Sequence, residues 1–201
     1  MRSGAGLKGL RLKQEIEGVV SLQLYSKNLC RSIINYSQTM DAWVTAPVAE
    51  REPNGAVGSV AARQTRSADG FSPGNNSKVR QLFDLKMTRI ITPLINRIWK
   101  VQLSGHTSTH VVRYLPGDFY LPHTDDFADR DYRYFTALCY LNDDFTGGHT
   151  SFPTLQLSIE PRAGKMIIFP SSYLHCSELV TSGEKYVIVS WVVGPAPVEW
   201  I

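Results

Sequence analysis

Apolar positions along this chain change their period twice. Residues 15–25, EIEGVVSLQLY, read as a strand, and Ser26 stands where a helix N-cap is expected. Leu29, Cys30, Ile33, Ile34 and Tyr36 follow at the spacing of one helix face. Residues 47–77 are rich in Gly, Pro, Ser and Asn and have little apolar period. A stretch of this length reads as a long loop, either a lid over a site or disordered. Helical spacing returns from Lys78 to Leu103 through Leu82, Phe83, Leu85, Ile90, Leu94, Ile95, Ile98 and Trp99. Pro93 is expected to kink this stretch or to start a second helix.

After about residue 107 the pattern shortens to strands and turns. Strands are predicted near 109–115, 119–125, 133–141, 149–152, 155–159, 166–170, 173–178 and 185–193. The turn signals PGD, DFADRD, NDDFTGG, PRAGK, PSS and TSGE separate them. Eight short strands in succession predict a double-sheet jelly roll or a closed barrel. The fold class is α+β with a β core, the preceding helices covering one sheet and blunting its edge.

Composition changes this picture little. The 201 residues predict one domain, 1–201, with helical support and a variable loop over 1–106 and the β core over 107–195. An apolar fraction of 43% and a charged fraction of 19% fit a soluble globular protein. The net charge of +3 is mild and its basic residues are scattered, so nucleic acid is not indicated as a partner. No apolar run approaches the ~20 residues that span a membrane. The N-terminus lacks the apolar core of a secretory signal, and a cytoplasmic location is expected. Cys30, Cys139 and Cys176 show no C-x-x-C spacing and are expected as buried free thiols.

The candidate chemistry begins at YLPHTDDF, residues 120–127. On a strand, residues i and i+2 point to one side, so His123 and Asp125 can converge on one ion while Asp126 points away. Alone, that pair reads equally well as a hydrogen-bonded turn. His175 supplies a second imidazole and Lys185 follows ten residues later. Two imidazoles and one carboxylate make the facial triad of non-haem Fe(II) oxygenases, and no third histidine is placed to close the site as structural zinc requires. A fixed lysine is not needed for metal binding. A dicarboxylate that chelates the metal at one end can meet this cation at the other. Tyr134, Thr136, Leu138 and Tyr140 share one strand face, as do Lys185, Val187, Val189 and Trp191. If both faces look inward, Tyr140 and Lys185 can grip one carboxylate.

RYLPGDFYLPHTDD, YFTALCYLNDDFTGGHTSFP and PRAGKMIIFPSSYLHCSELVTSGEKYVIVSWV together resemble the iron(II)- and 2-oxoglutarate-dependent dioxygenases, in the prolyl 4-hydroxylase-like branch. The resemblance covers residues 109–193. It implies a double-stranded β-helix with His123, Asp125 and His175 as catalytic iron ligands. It implies Lys185 on the distal carboxylate of 2-oxoglutarate with help from Tyr140, and Tyr114 and Trp191 lining the co-substrate pocket. Fe(II), 2-oxoglutarate and O2 are the implied cofactor and co-substrates, with ascorbate as an accessory. His149 stands where relatives often carry glutamate, and the N-terminal half matches no known substrate-binding pattern.

The leading expectation is hydroxylation of a prolyl residue in a peptide or protein, with a free amino acid or small metabolite as the alternative substrate. A nucleic-acid demethylase of the same fold is disfavoured by Lys185, where that branch uses arginine. Halogenation is disfavoured because Asp125 is intact. A non-catalytic jelly-roll binding module has no need of Asp125 and Lys185 together, and no G-x-S-x-G elbow supports a serine hydrolase. His106, His110 and His149 are read as surface or structural histidines, Cys139 as core, and Arg51, Arg63, Arg66, Lys78 and Arg80 as solvated loop residues.

Overall fold

The computed structural model describes residues 11–51, 57–60, 62–103, 105–126 and 132–194. Two antiparallel sheets face each other. The larger runs in the order Leu12–Ile16, Val19–Gln23, Lys165–Pro170, Arg133–Tyr140, Lys185–Val193, His110–Tyr114, Asp69–Phe71, Val44–Thr45, with Gly105–His106 also pairing to Lys185–Val193. The smaller runs Leu157–Ile159, Thr150–Phe152, His175–Ser177, Phe119–His123, Arg66–Ser67. All eight strands expected after residue 107 are present. Along the chain they are divided between the two sheets, the arrangement of a double-stranded β-helix.

The helices cover the outer face of the larger sheet. Ser26 caps Lys27–Gln38 as expected, its hydroxyl accepting from the Leu29 N–H at 3.3 Å. Cys30 and Ile33 from this helix join Phe83, Met87, Ile91 and Ile95 against Phe135, Ala137, Cys139, Met166 and Ile188 of the sheet. Each large side chain buried here contributes about 1.5–3 kcal/mol. Pro93 does begin a new helix. Lys78–Lys86 passes through a wide π-helical turn, Met87–Ile91, before Thr92–Trp99 starts. Proline lacks the N–H that would continue the ladder, and the Thr92 N–H reaches back five residues to the Met87 carbonyl.

Four expectations are corrected, the last of them, on Tyr134, at the inner sheet face. Residues 15–25 are not one strand: Leu12–Ile16 and Val19–Gln23 form a hairpin turning at Gly18, whose φ is +77°. A Cβ at Gly18 would strike the Tyr173 ring, so glycine is required there by both conformation and space. Residues 47–77 are not simply a loop. They contribute the hairpin Val48–Arg51 with Val57–Val60 and the strands Arg66–Ser67 and Asp69–Phe71; residues 52–56 and 61 of the expected lid lie outside the described residues. Short β segments set among Gly and Ser give no long apolar period, and their partners are distant in sequence. The edges of the larger sheet are taken by the N-terminal hairpin and by Val44–Thr45 rather than by helices.

Between the sheets lies a second apolar cluster that includes Val112, Tyr114, Tyr140, Phe152, Phe169, Val187 and Val189. Cys139, of opposite parity to Tyr140, packs in the helix-side core as expected. Tyr134 departs from its expected face. The pairing of Arg133–Tyr140 with Lys185–Val193 slips between Arg133 and Phe135, leaving Tyr134 41% exposed and placing Arg133 over the Trp191 ring at 3.8 Å. Among the described residues no helix is long and apolar enough to cross a membrane.

Candidate metal centre

His123 closes the strand Phe119–His123 and His175 opens His175–Ser177. The two are direct cross-strand partners. Their register slips by one residue between Tyr120 and His123, a bulge of the kind that re-aims side chains beside active sites. Asp125 is not on the strand, which ends earlier than expected. It reaches the site from a bend, fixed by its N–H donating to the Ser171 carbonyl at 2.8 Å.

One ligand atom from each of His123, Asp125 and His175 lies within 4.8 Å of the others. His123 Nε2 is 3.7 Å from Asp125 Oδ1, and His175 Nε2 is 3.5 Å from Oδ2. Each imidazole places Nδ1 2.9 Å from a carbonyl oxygen two residues earlier, Leu121 for His123 and Tyr173 for His175. A carbonyl only accepts, so Nδ1 carries the proton in both rings and Nε2 is bare in the neutral form. The ring planes are also held. Tyr120 stacks on His123 with centroids 3.5 Å apart, and Phe169 meets His175 edge-on at 4.7 Å.

Burial and then the neighbouring His175 push the His123 pKa down, favouring its neutral form. Burial acting alone would raise the Asp125 carboxyl. The His175 and His123 imidazoles, the Thr136 hydroxyl and Trp191 offset this and hold it below the usual carboxylate range. The Thr136 hydroxyl donates to Asp125 Oδ2 at 2.6 Å, whereas among the described residues the buried Trp191 Nε1 has no hydrogen-bond partner of good geometry. With both rings in the neutral form, the two Nε2 atoms and the Asp125 carboxylate make a donor set that fits a divalent cation tolerating N/O ligands.

The triad opens into a cavity of about 330 Å³. Leu138, Val187, Val189 and Trp191 give it an apolar wall, and Tyr114, Thr150 and Ser177 mark one end. Lys185 lies behind that end, 1% exposed and directly opposite Tyr114 in the sheet. Its ammonium donates to the Gly148 carbonyl at 2.7 Å and to Ser177 Oγ at 2.8 Å, and sits 4.8 Å from the Tyr114 ring centre. Burial pushes its pKa down to about 7. Among the described residues no carboxylate pairs with it. Tyr140 is likewise set behind the wall. Its hydroxyl donates to Thr150 Oγ1 at 2.7 Å, not toward Lys185.

So Tyr114 and Trp191 line the cavity, whereas Lys185 and Tyr140 meet it through the hydroxyls of Ser177 and Thr150. One reading of a loop residue is corrected. Arg66 lines the cavity with its guanidinium 4.7 Å over Tyr120, because Arg66–Ser67 pairs with Phe119–His123. His110 also lines it, with Nδ1 2.9 Å from Ser72 Oγ and its ring edge-on to Trp191. His106 and His149 bond to Thr107 and Ser158 away from the triad, as expected, and Arg63 and Arg80 pair with Asp69 and Asp84. The Arg51 side chain lies outside the described residues. Thr136, Thr150 and Ser177 carried no sequence signal of their own beyond inward strand parity, which Thr136 alone was assigned.

Known proteins resemble this chain in sequence and in fold. Residues 109–193 match the profile of the 2OG-Fe(II) oxygenase superfamily. A candidate prolyl 4-hydroxylase of Acanthamoeba polyphaga mimivirus is 30% identical over 146 residues, 59% of this chain and 60% of that protein. A PKHD-type hydroxylase of Synechococcus sp. (strain CC9902) is 40% identical over 81 residues, 38% of this chain and 36% of that protein. The chain therefore spans three-fifths or less of the length of these relatives. Among solved structures, a Pseudomonas putida prolyl-4-hydroxylase superposes with a TM-score of 0.68 at 21% identity, covering 88% of this chain and 92% of that one. The viral collagen prolyl hydroxylase of Paramecium bursaria Chlorella virus-1, in its 2OG complex, gives 0.63 at 23%, covering 88% and 96%. A Trichoplax adhaerens prolyl hydroxylase bound to a hypoxia inducible factor peptide fragment gives 0.65 at 18%, covering 88% and 83%. At these identities the superpositions establish the double-stranded β-helix fold.

Proposed function

We propose that this chain, whose residues 109–193 match the 2OG-Fe(II) oxygenase superfamily and which is similar to prolyl 4-hydroxylases, is an iron(II)- and 2-oxoglutarate-dependent hydroxylase acting on a prolyl residue of a peptide or protein. The observation that carries this reading is a His-Asp-His triad opening into a cavity whose wall hydroxyl, Ser177, accepts from the buried Lys185 ammonium, which pairs with no carboxylate among the described residues. His123, Asp125 and His175 hold the iron. Iron, 2-oxoglutarate and O2 together supply the oxidation that converts a C–H bond to C–OH while 2-oxoglutarate becomes succinate and CO2.

The chain's own residues bind, orient and exclude water. The backbone carbonyls of Leu121 and Tyr173 keep both imidazoles presenting Nε2. Lys185 uses two of its three protons on Gly148 and Ser177, and the third serves the distal carboxylate of 2-oxoglutarate. Tyr140 acts through Thr150, Tyr114 flanks the ammonium, and Trp191 with Val187 and Val189 keeps the cavity apolar. Peptide substrates are supported by the Trichoplax neighbour, which is bound to a peptide fragment. The reading takes residues 1–201 as one catalytic domain.

The test incubates the purified chain with Fe(II), 2-oxoglutarate and a panel of proline-containing peptides beside free L-proline, with and without ascorbate. Succinate formation is followed together with the mass of each candidate. A gain of one oxygen on a prolyl residue supports the proposal. Oxygen gained by free proline alone would move the substrate to the amino-acid class, and succinate formation with neither would leave the prolyl assignment without support.

A further inference from the structure

Asp125 is held at both its backbone and its carboxylate by two residues that also meet each other. Its N–H donates to the Ser171 carbonyl at 2.8 Å, while its Oδ2 accepts from Thr136 at 2.6 Å. Thr136 Oγ1 lies 3.1 Å from Ser171 Oγ. A carboxylate only accepts, so the single Thr136 proton is spent on Asp125 and Ser171 must be the donor to Thr136. The result is a closed ring: Ser171 hydroxyl to Thr136 hydroxyl to Asp125 carboxylate, and Asp125 backbone to Ser171 backbone. Thr136 is 1% exposed and Ser171 0%, so these bonds lie in a low-dielectric setting where they are strengthened. The β-branch of Thr136 further restricts its χ1 in the strand Arg133–Tyr140.

We propose that Thr136, backed by Ser171, is a positioning residue that engages Asp125 Oδ2 and leaves Oδ1 as the oxygen offered to the metal. This rests on the iron reading of the triad. Without the Thr136 hydroxyl the carboxylate is free to rotate and to present both oxygens. The site would then lose its preorganisation and one of the positions that co-substrate and O2 need.

The experiment uses Co(II) as the probe, titrated anaerobically into the whole chain by competition with a chelating dye and followed through its visible d–d bands. Thr136→Val keeps the β-branched shape and removes the hydroxyl. It is expected to weaken Co(II) about 10- to 100-fold, the usual effect of losing a partner of a metal ligand, and to flatten the bands as a second carboxylate oxygen joins the ion. Thr136→Ser restores the hydroxyl and should return affinity and bands toward wild type. Ser171→Ala should shift both in the direction of Thr136→Val. Wild-type affinity and bands in Thr136→Val overturn the proposal, as does failure of Thr136→Ser to recover them. Should Thr136→Val not fold by circular dichroism, unchanged bands in Ser171→Ala overturn it equally. Absence of Co(II) binding by wild type is a different failure, that of the triad reading itself.

Discussion

Replacing Lys185 by methionine separates a binding role from a structural one, because the two give opposite signs. In the ligand-free protein Lys185 is 1% exposed, with a pKa lowered by burial from 10.5 to about 7. That displacement corresponds to roughly 5 kcal/mol of disfavoured charging at ~1.4 kcal/mol per pH unit. The unfolded chain carries the proton to pH 10.5 and the folded chain releases it near 7. Stability therefore bears the full cost below about pH 7 and rises with pH between about 7 and 10.5. Methionine removes the buried charge at similar length but orphans the Gly148 carbonyl and Ser177 hydroxyl. A net stabilisation of about 1 kcal/mol or more at neutral pH is expected, the usual direction when a buried charge becomes apolar. Binding should change the other way. A carboxylate left without its buried cation costs roughly 3–5 kcal/mol, so 2-oxoglutarate should bind at least ~100-fold more weakly. The assay is calorimetric unfolding with and without 2-oxoglutarate, beside an anaerobic titration of the iron-loaded protein. A raised ligand-free Tm and loss of the 2-oxoglutarate-induced increase are expected, with metal affinity little changed. Wild-type 2-oxoglutarate affinity in Lys185→Met would refute the reasoning outright.

Further outcomes follow from the same geometry. His123→Ala, Asp125→Ala and His175→Ala should each abolish turnover and stoichiometric Fe(II) binding while circular dichroism stays native; Asp126→Ala should be far milder, and equal loss there would move the ligand assignment. Glu15 is opposed by burial but held down to about 2 by Lys13, Ser21 and Lys165. Its contribution is present above the unfolded value of 4.5 and lost as pH falls toward 2. Glu15→Gln should cost about 1–2 kcal/mol at neutral pH after allowing for solvent screening, and the deficit should shrink in acid unfolding titrations. Residues 47–77 should gain hydrogen-exchange protection when the peptide substrate binds, and unchanged exchange there would remove the lid reading.

The order of strands after residue 107 was legible because period-two runs broken by Gly, Pro and Asp turns are local signals. The inward parity of Thr136, Leu138, Val187 and Trp191 follows from the same alternation. His123, Asp125, His175 and Lys185 were identifiable from residue type and spacing, since few other roles need that set together. Tertiary structure decided what pairing and bulges control. One residue of slip between Tyr120 and His123 sets His123 against His175, and another at Arg133 turns Tyr134 out and Arg133 in. The strand stops at His123, so Asp125 reaches the site by its bond to Ser171 and not by parity. Arg66 and His110 enter the cavity wall only because Arg66–Ser67 pairs with Phe119–His123 and Asp69–Phe71 with His110–Tyr114. A bulge shifts every later side chain, and a long-range pairing is fixed by packing far along the chain. Neither leaves a mark in the few residues around it.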